Sequence, residues 1–376
     1  MKWEKVKLGD MTDSCLGKML DQQKNRGEFQ PYLANVNVRW GTFDLDDLPQ
    51  MRFEENEQER YGLRYGDLVV CEGGEPGRCA IWKEQIPNMK IQKALHRVRA
   101  HDGLDYRYLY YWFLWSGKRG ALEQYFTGAT IKHMPGQKLQ EVLIDKPPLE
   151  IQKRMADILS AYDNLIENNQ KQIKLLEEAA QRLYKEWFVD LRFPGYETTP
   201  VVDGVPEGWH QRTLEELISI NYGKDHKQVP EDGEIPVYGS GGLIRKCNKF
   251  LYTGEAVLIP RKGSLNHIMY VNEAFWTVDT MFYATMKKPN TALFVYFFIS
   301  SFDMYAMNIG AAVPSMTVKI LEAIPLLIPS ENALKRFDDT VKVYFQKIAV
   351  LNKQIEGLAE ARDRLLPKLM SGEIEV

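Results

Sequence analysis

At 376 residues the chain has room for two or three domains of roughly 100–200 residues each. With 44% apolar and 26% charged residues it suits packed cores and excludes a disordered or fibrous chain. A net charge of −3 speaks mildly against a uniformly basic nucleic-acid-binding surface, yet the charge is uneven. Gln85–His101 contains no acid but carries Lys90, Lys93, Arg97 and Arg99, whereas acids collect at Glu54–Glu59. The N-terminal MKWEKVKLGDMTD has no apolar run after its lysines, so no export signal is read there. The most apolar stretch, near Leu293–Ile299, is far short of the roughly 20 residues that span a bilayer. These features predict a soluble, cytoplasmic protein without membrane partners.

In chain order, each half begins with a short segment of mixed polarity. Strand-like runs follow, rich in β-branched and aromatic residues and bounded by turn formers. In the first half they are Leu68–Val70, Cys79–Trp82 and Leu95–Val98; in the second, Ile235–Tyr238, Ala256–Ile259, Ile268–Val271 and Phe282–Met286. An aromatic, helical stretch comes next, Tyr106–Trp115 and then Leu293–Met304. Each half closes with a Pro-punctuated strand, Val142–Pro148 or Ile324–Pro329, and a long polar helix. The apolar stripe of the first helix reads Ile151, Met155, Ile158, Tyr162, Leu165, Asn169, Ile173, Leu176, Ala180, Leu183 and Trp187. This predicts a stutter in the seven-residue repeat near Asn169. The second stripe reads Leu334, Phe337, Val341, Tyr344, Ile348, Leu351, Ile355 and Leu358, then Leu365 and Leu369. Stripes this narrow predict that the two helices bury them on each other, as a coiled coil about 55–60 Å long at 1.5 Å per residue.

The order of elements is an internal repeat. Thr127–Pro148 aligns with Ile309–Ser330 at an offset of 182, and that offset continues through Ile173/Ile355 and Leu183/Leu365. Trp3, Leu8 and Gly17-Lys18 match Trp209, Leu214 and Gly223-Lys224 at 206, and GDLVV at Gly66 matches GEAVLI at Gly254. The shifting offset predicts longer loops in the first half. The expected fold class is α+β: two similar mixed domains separated by two long helices in an antiparallel coiled coil, with pseudo-two-fold symmetry. The expected divisions are 1–148, a helix 149–192, a linker 193–208, 209–330 and a helix 331–376.

Catalytic and cofactor motifs are missing from the sequence. Gly17-Lys18, Gly117-Lys118 and Gly223-Lys224 lack the following Ser or Thr of a phosphate loop. Cys71–Gly77 is Gly-rich without G-x-G-x-x-G order, and reads as a hairpin turn. KPPLE at Lys146 lacks the amide and aromatic of an amino-methyltransferase motif, and Asp225-His226-Lys227 is only a fragment of a nuclease site. Cys15, Cys71, Cys79 and Cys247 have no zinc spacing and read as reduced thiols. No catalytic residue, metal or cofactor is therefore assigned.

Binding chemistry remains. Reading duplex DNA takes cations for phosphates and planar amide or guanidinium groups for base edges. The first-half candidates are Lys18, Lys24, Arg26, Asn37, Arg39, Lys90, Lys93, Arg97, Arg99, Lys132 and His133, with Asn35 and Trp40 beside them. The second-half candidates are Lys224, Lys227, Tyr238, Ser240, Arg245, Lys246, Arg261, Lys262 and Ser264, with Lys249 nearby. Two loops stand out, Tyr238–Lys246 (YGSGGLIRK) and Pro260–Ser264 (PRKGS), because small residues let backbone approach DNA while basic ones meet phosphate.

The repeated architecture, the strings IPVYGSGG, VLIPRKGS, FWTVDTMFY and YLANVNV, and the helix LSAYDNLIENNQKQIKLLEEAAQRLYKEWF together resemble the specificity subunit of a type I restriction-modification system. The resemblance covers nearly the whole chain. It implies that Lys2–Pro148 and Trp209–Pro329 are target-recognition domains, each reading half of a bipartite double-stranded DNA site. It implies that the helices are a spacer and the platform for two methyltransferase subunits, with restriction subunits completing the complex and the methyl donor held by the partner. Unequal domain lengths imply an asymmetric target. The alternative from the sequence is a restriction endonuclease acting in its own right.

Overall fold

The computed structural model describes residues 3–21, 25–307 and 314–376. Contacts group the chain into two units, Met1–Asn169 with Lys353–Val376, and Gln170–Asn352. Each unit combines a mixed domain with a segment of both long helices.

In the first unit the chain runs β1 (Glu4–Lys7), α1 (Leu8–Met11), β2 (Thr12–Leu16), β3 (Glu28–Leu33), β4 (Gln50–Phe53), α2 (Gln58–Tyr61), β5 (Leu68–Cys71), β6 (Cys79–Ile81), β7 (Lys90–Ile91) and β8 (Leu95–Ala100). Then come α3 (Tyr106–Lys118), α4 (Gly136–Gln140), β9 (Leu143–Lys146) and the long α5 (Leu149–Tyr184). The main sheet has the order β2-β8-β5-β6, and a smaller one β4-β3-β7. β5 is buried at all four residues, as a central strand with two covered faces requires. Asp105 starts α3 by accepting from the backbone N–H groups of Arg107 and Tyr108. The buried face of α3 (Tyr108, Tyr111, Trp112, Phe113) joins Leu68, Val70 and Val98 of the sheet in one core.

The second unit repeats the plan. It contains β10 (Val201–Val202), β11 (Val205–Pro206), β12 (His210–Thr213), β13 (Ile218–Tyr222), β14 (Ile235–Gly239), β15 (Gly242–Cys247), β16 (Tyr252–Pro260), β17 (Met269–Thr277), β18 (Met281–Met286), α6 (Ala292–Ser300), α7 (Val318–Glu322), β19 (Pro325–Ile328) and α8 (Glu331–Met370). Its single six-stranded sheet runs β13-β18-β16-β17-β14-β15. One long strand, β17, pairs with β16 along its length and with β14 at its end. In the first unit the short strands β6 and β7 divide that task, which splits the sheet in two. The residues between them, 82–89, are part of the longer first half. β1 pairs antiparallel with β9, the last strand of the first unit, and β12, which follows the β10–β11 hairpin, pairs likewise with β19, the last strand of the second.

The helices correct one expectation. Leu165 is 51% exposed, while Ile166 is half-buried and Asn169 is buried. The inward stripe of α5 is thus Met155, Leu159, Tyr162, Ile166, Asn169, Ile173, Leu176 and Ala180, a regular four-three alternation without a stutter. The stripe of α8 is also unbroken, because Arg362 fills the position between Leu358 and Leu365. A helix of one π turn, Lys185–Val189, carries α5 into the linker. In the first unit Asp163 and Asn169 of α5 meet Arg362 and Gln354 of α8, so one numbering rises as the other falls. In the second, Tyr184 at the end of α5 and Trp187 in the π turn after it meet Phe337 near the start of α8. Both segments are antiparallel, in an α+β fold of two mixed domains and two long helices.

Candidate nucleic-acid interface

The two loops singled out in the second half converge. Ser240 follows β14, and Gly263 follows β16 at φ +88°, a conformation that suits glycine. A Cβ on Gly263 would sit 2.8 Å from Ser240 Oγ, so the two loops touch at this glycine. His267 Nδ1 lies 3.0 Å from the Ser240 carbonyl, and the Tyr305 hydroxyl donates to the Gly263 carbonyl at 3.2 Å. A backbone bridge between Lys262 and Ser315 ties in the segment before α7. Lys262, Ser264 and His267 stand exposed on this surface. Arg261 lies over the ring of exposed Tyr222 at 5.5 Å, and Lys224 is exposed two residues further on.

The first unit builds the same frame from different side chains. β3 pairs in parallel with β7 as β14 does with β17, which makes Asn35 the counterpart of Ser240. Gly74, at φ +71°, faces Asn35 as Gly263 faces Ser240; its Cβ would lie 3.1 Å from Asn35 Oδ1. Asn35 donates to the Gly73 carbonyl at 2.9 Å, and Gly73 bridges to His133 as Lys262 does to Ser315. Arg39, Lys93, Lys132 and His133 are exposed, as is Arg26. Asn37 is buried and shapes the turn, accepting from Ala34 N and donating to the Asp44 carbonyl. Arg39 pairs loosely with Asp44 at 3.7 Å.

Several basic candidates serve the domains themselves. Lys18 is 4% exposed, with its ammonium on Glu57 at 2.5 Å and on the Arg52 carbonyl. Arg97, equally buried, grips Asp13 and the carbonyls of Glu59 and Arg60. Arg99 holds Asp67 with two hydrogen bonds of 2.7 and 2.8 Å, and this pairing pushes its pKa further up. Lys90 is buried at a cleft wall, and desolvation pushes its ammonium pKa down. Lys18, Lys90 and Arg97 are therefore corrected from phosphate contacts to scaffold residues, since a side chain closed off from solvent cannot meet a phosphate without unpacking. In the second unit Arg245 is tied to His226, the Val229 carbonyl and Glu231, and Lys246 to Glu234. The Tyr238 hydroxyl donates to Glu273. Lys227 is exposed, and Lys24 lies outside the described residues.

Comparison with known proteins now decides the family. The family described as the type I restriction modification DNA specificity domain matches residues 1–178 and 206–360. The chain belongs to this family. The MjaIX specificity subunit of a type I restriction enzyme from Methanocaldococcus jannaschii is 28% identical, over 83% of this chain and 78% of that one. The MjaVIII specificity subunit of the same organism is 24% identical over 100% of this chain and 93% of its own. The crystal structure of the type I system S subunit from M. genitalium shares the fold, with a TM-score of 0.62 at 18% identity, covering 98% and 96% of the two chains.

The specificity subunit is thus the better of the two sequence readings, and the relatives set aside the stand-alone endonuclease. Among the described residues no group of three or more His, Cys, Asp or Glu could hold a metal ion, and no helix is long and apolar enough to cross a membrane. All four cysteines are free, and burial raises the thiol pKa of Cys15, Cys71 and Cys79. Sequence reasoning missed Tyr222, His267 and Tyr305 of this candidate surface. A signal for such a site was the pair of loop glycines, Gly74 and Gly263, each the third residue after a strand.

Proposed function

We propose that this specificity subunit reads a bipartite double-stranded DNA target, with domain 1–148 on one half-site and domain 209–330 on the other. The observation that carries the reading is one frame with two sets of tips: Asn35, Gly74, His133 in one unit and Ser240, Gly263, Ser315 in the other. A common frame presents its loops to the same kind of surface, and different side chains at the tips read different bases. Exposed Arg39, Lys93, Lys132, Lys224 and Lys262, with half-buried Arg261, would meet phosphates, and the target would be asymmetric. The subunit is non-catalytic in this reading. Its helices fix the half-site spacing and dock two methyltransferase subunits, which hold the methyl donor, and restriction subunits complete the assembly. Readers roughly one helical turn apart, about 34–36 Å, can share one face of the duplex.

The test replaces residues 209–329 with the equivalent domain of another family member and maps methylated sites genome-wide with the methyltransferase partner present. One half-site changes and the other stays. Change in both halves, or in neither, overturns the assignment of one domain to one half-site.

A further inference from the structure

The paired stripes of α5 and α8 are apolar or aromatic over most of their length, and such a seam tolerates sliding by a whole heptad at little cost. Within it, Asn169 of α5 and Arg362 of α8 are polar residues at inward positions, and both lie in the first unit. Asn169 is 7% exposed, and its Nδ2 donates to Gln354 Oε1 at 3.3 Å. Arg362 donates to Asp163 Oδ1 at 2.5 Å, while the Tyr111 hydroxyl of α3 donates to the other oxygen of that carboxylate at 2.5 Å. Burial works against the charge of Arg362, and Asp163 with Asp363 more than restores it.

The repeat supplies an internal control. At the offset of 182, Asn169 corresponds to Leu351 and Arg362 to Ala180, both buried and apolar in the second unit. The fold therefore accepts apolar residues at these positions, and the polar ones are held for another reason. We infer that the Asn169–Gln354 and Asp163–Arg362 ties are a register lock, selecting one alignment of α5 against α8 and with it the number of unspecified base pairs between half-sites. The second clause rests on the function proposed above. The two ties agree on a single antiparallel alignment, and a slip of one heptad breaks both at once. Each slip leaves a buried amide and a half-buried ion pair without partners, which disfavours it by about tenfold.

The test uses the full chain with its methyltransferase partner. Cysteines at Ile166 and Leu358 report the native alignment, and cysteines at Ile166 and Leu365 report a one-heptad slip. In a background of Asn169→Leu, Asp163→Asn and Arg362→Ala, the slipped disulfide is expected to rise roughly tenfold over its yield with the ties intact, and a second spacing is expected among methylated sites. Asn169→Leu alone, copying Leu351, is the second variant if the triple one does not fold, and is expected to shift both readouts in the same direction. A folded variant whose slipped disulfide stays at background overturns the lock. A slipped disulfide with an unchanged methylated spacing leaves the lock standing and overturns the ruler role of the helices.

Discussion

Both units pack buried apolar residues of the long helices on the domain, but the first adds a polar network and the second an aromatic cluster. In the first, Gln152 of α5 is fully buried and hydrogen-bonds Asp105 N and the carbonyls of Gly103 and Pro147. Nearby, Arg107 bridges Asp105 and Asp157, and Tyr111, Asp163, Arg362, Asp363 and Lys118 form one chain of charge-assisted bonds. In the second, the counterparts of Gln152 and Asp163 are Leu334 and Phe345, and the joint is an aromatic cluster. There Tyr184 stacks on Phe297 at 5.6 Å, and Phe188 meets Phe294 and Phe337 at 4.9 Å each. One polar tie borders it, Lys342 on Glu255 with Tyr270. Directional bonds fix an orientation, whereas dispersion and apolar burial add stability that many packings share. The same backbone plan thus separates precision in one unit from cohesion in the other.

The comparison can be broken most sharply at Phe337. Phe337→Ala should cost about 3–5 kcal/mol in denaturant unfolding, because a fully buried ring leaves a cavity at the centre of the aromatic joint. Asp163→Ala, at the polar joint, should cost less, about 1.5–3 kcal/mol, for the lost charged hydrogen bonds. An equal or reversed order would erase the distinction. Gln152→Leu copies the second unit into the first; it should still destabilise, by about 1–3 kcal/mol, because three backbone groups lose their partner. A neutral result would show that the polar joint is not tuned to its groups.

Lys18 and Lys224 occupy equivalent positions and sharpen the comparison further. Lys224→Ala should leave unfolding unchanged and reduce the slope of DNA affinity against salt by about 1. Lys18→Ala should do the reverse, lowering stability with the slope intact, since its charge is committed to Glu57. The smallest effect is a pH dependence in the first unit. His96 is buried against the Met134 carbonyl, and desolvation holds its imidazole pKa below the ordinary 6.5. The native state therefore resists protonation while the unfolded chain accepts it. Stability is full above pH 6.5 and falls as pH drops below that value. Thermal unfolding of His96→Gln across that range should show a flatter profile than the parent.

Much of the architecture was legible because it rests on local pattern. Heptad spacing, Pro-marked helix starts and the offset repeat determined the two mixed domains and the long helices, and the family followed from a resemblance of particular strings. The candidate interface was legible as loops but not as residues. Gly17 and Gly223 show why: each passes so close to the opposing backbone, at Gln92 and Val278, that no side chain fits, and the lysine after each is then buried in one unit and exposed in the other. A cation's role depends on whether the fold sets a carboxylate beside it, as Glu57 meets Lys18, and that neighbour comes from a distant part of the chain. The seam of α5 turned on the same point. Leu165 and Ile166 are both apolar, and only packing against α8 decides which faces inward. Periodicity by itself determined that helices pair and domains repeat; tertiary structure decided register, burial and which charges remain free to meet DNA, because those depend on contacts between residues far apart in sequence.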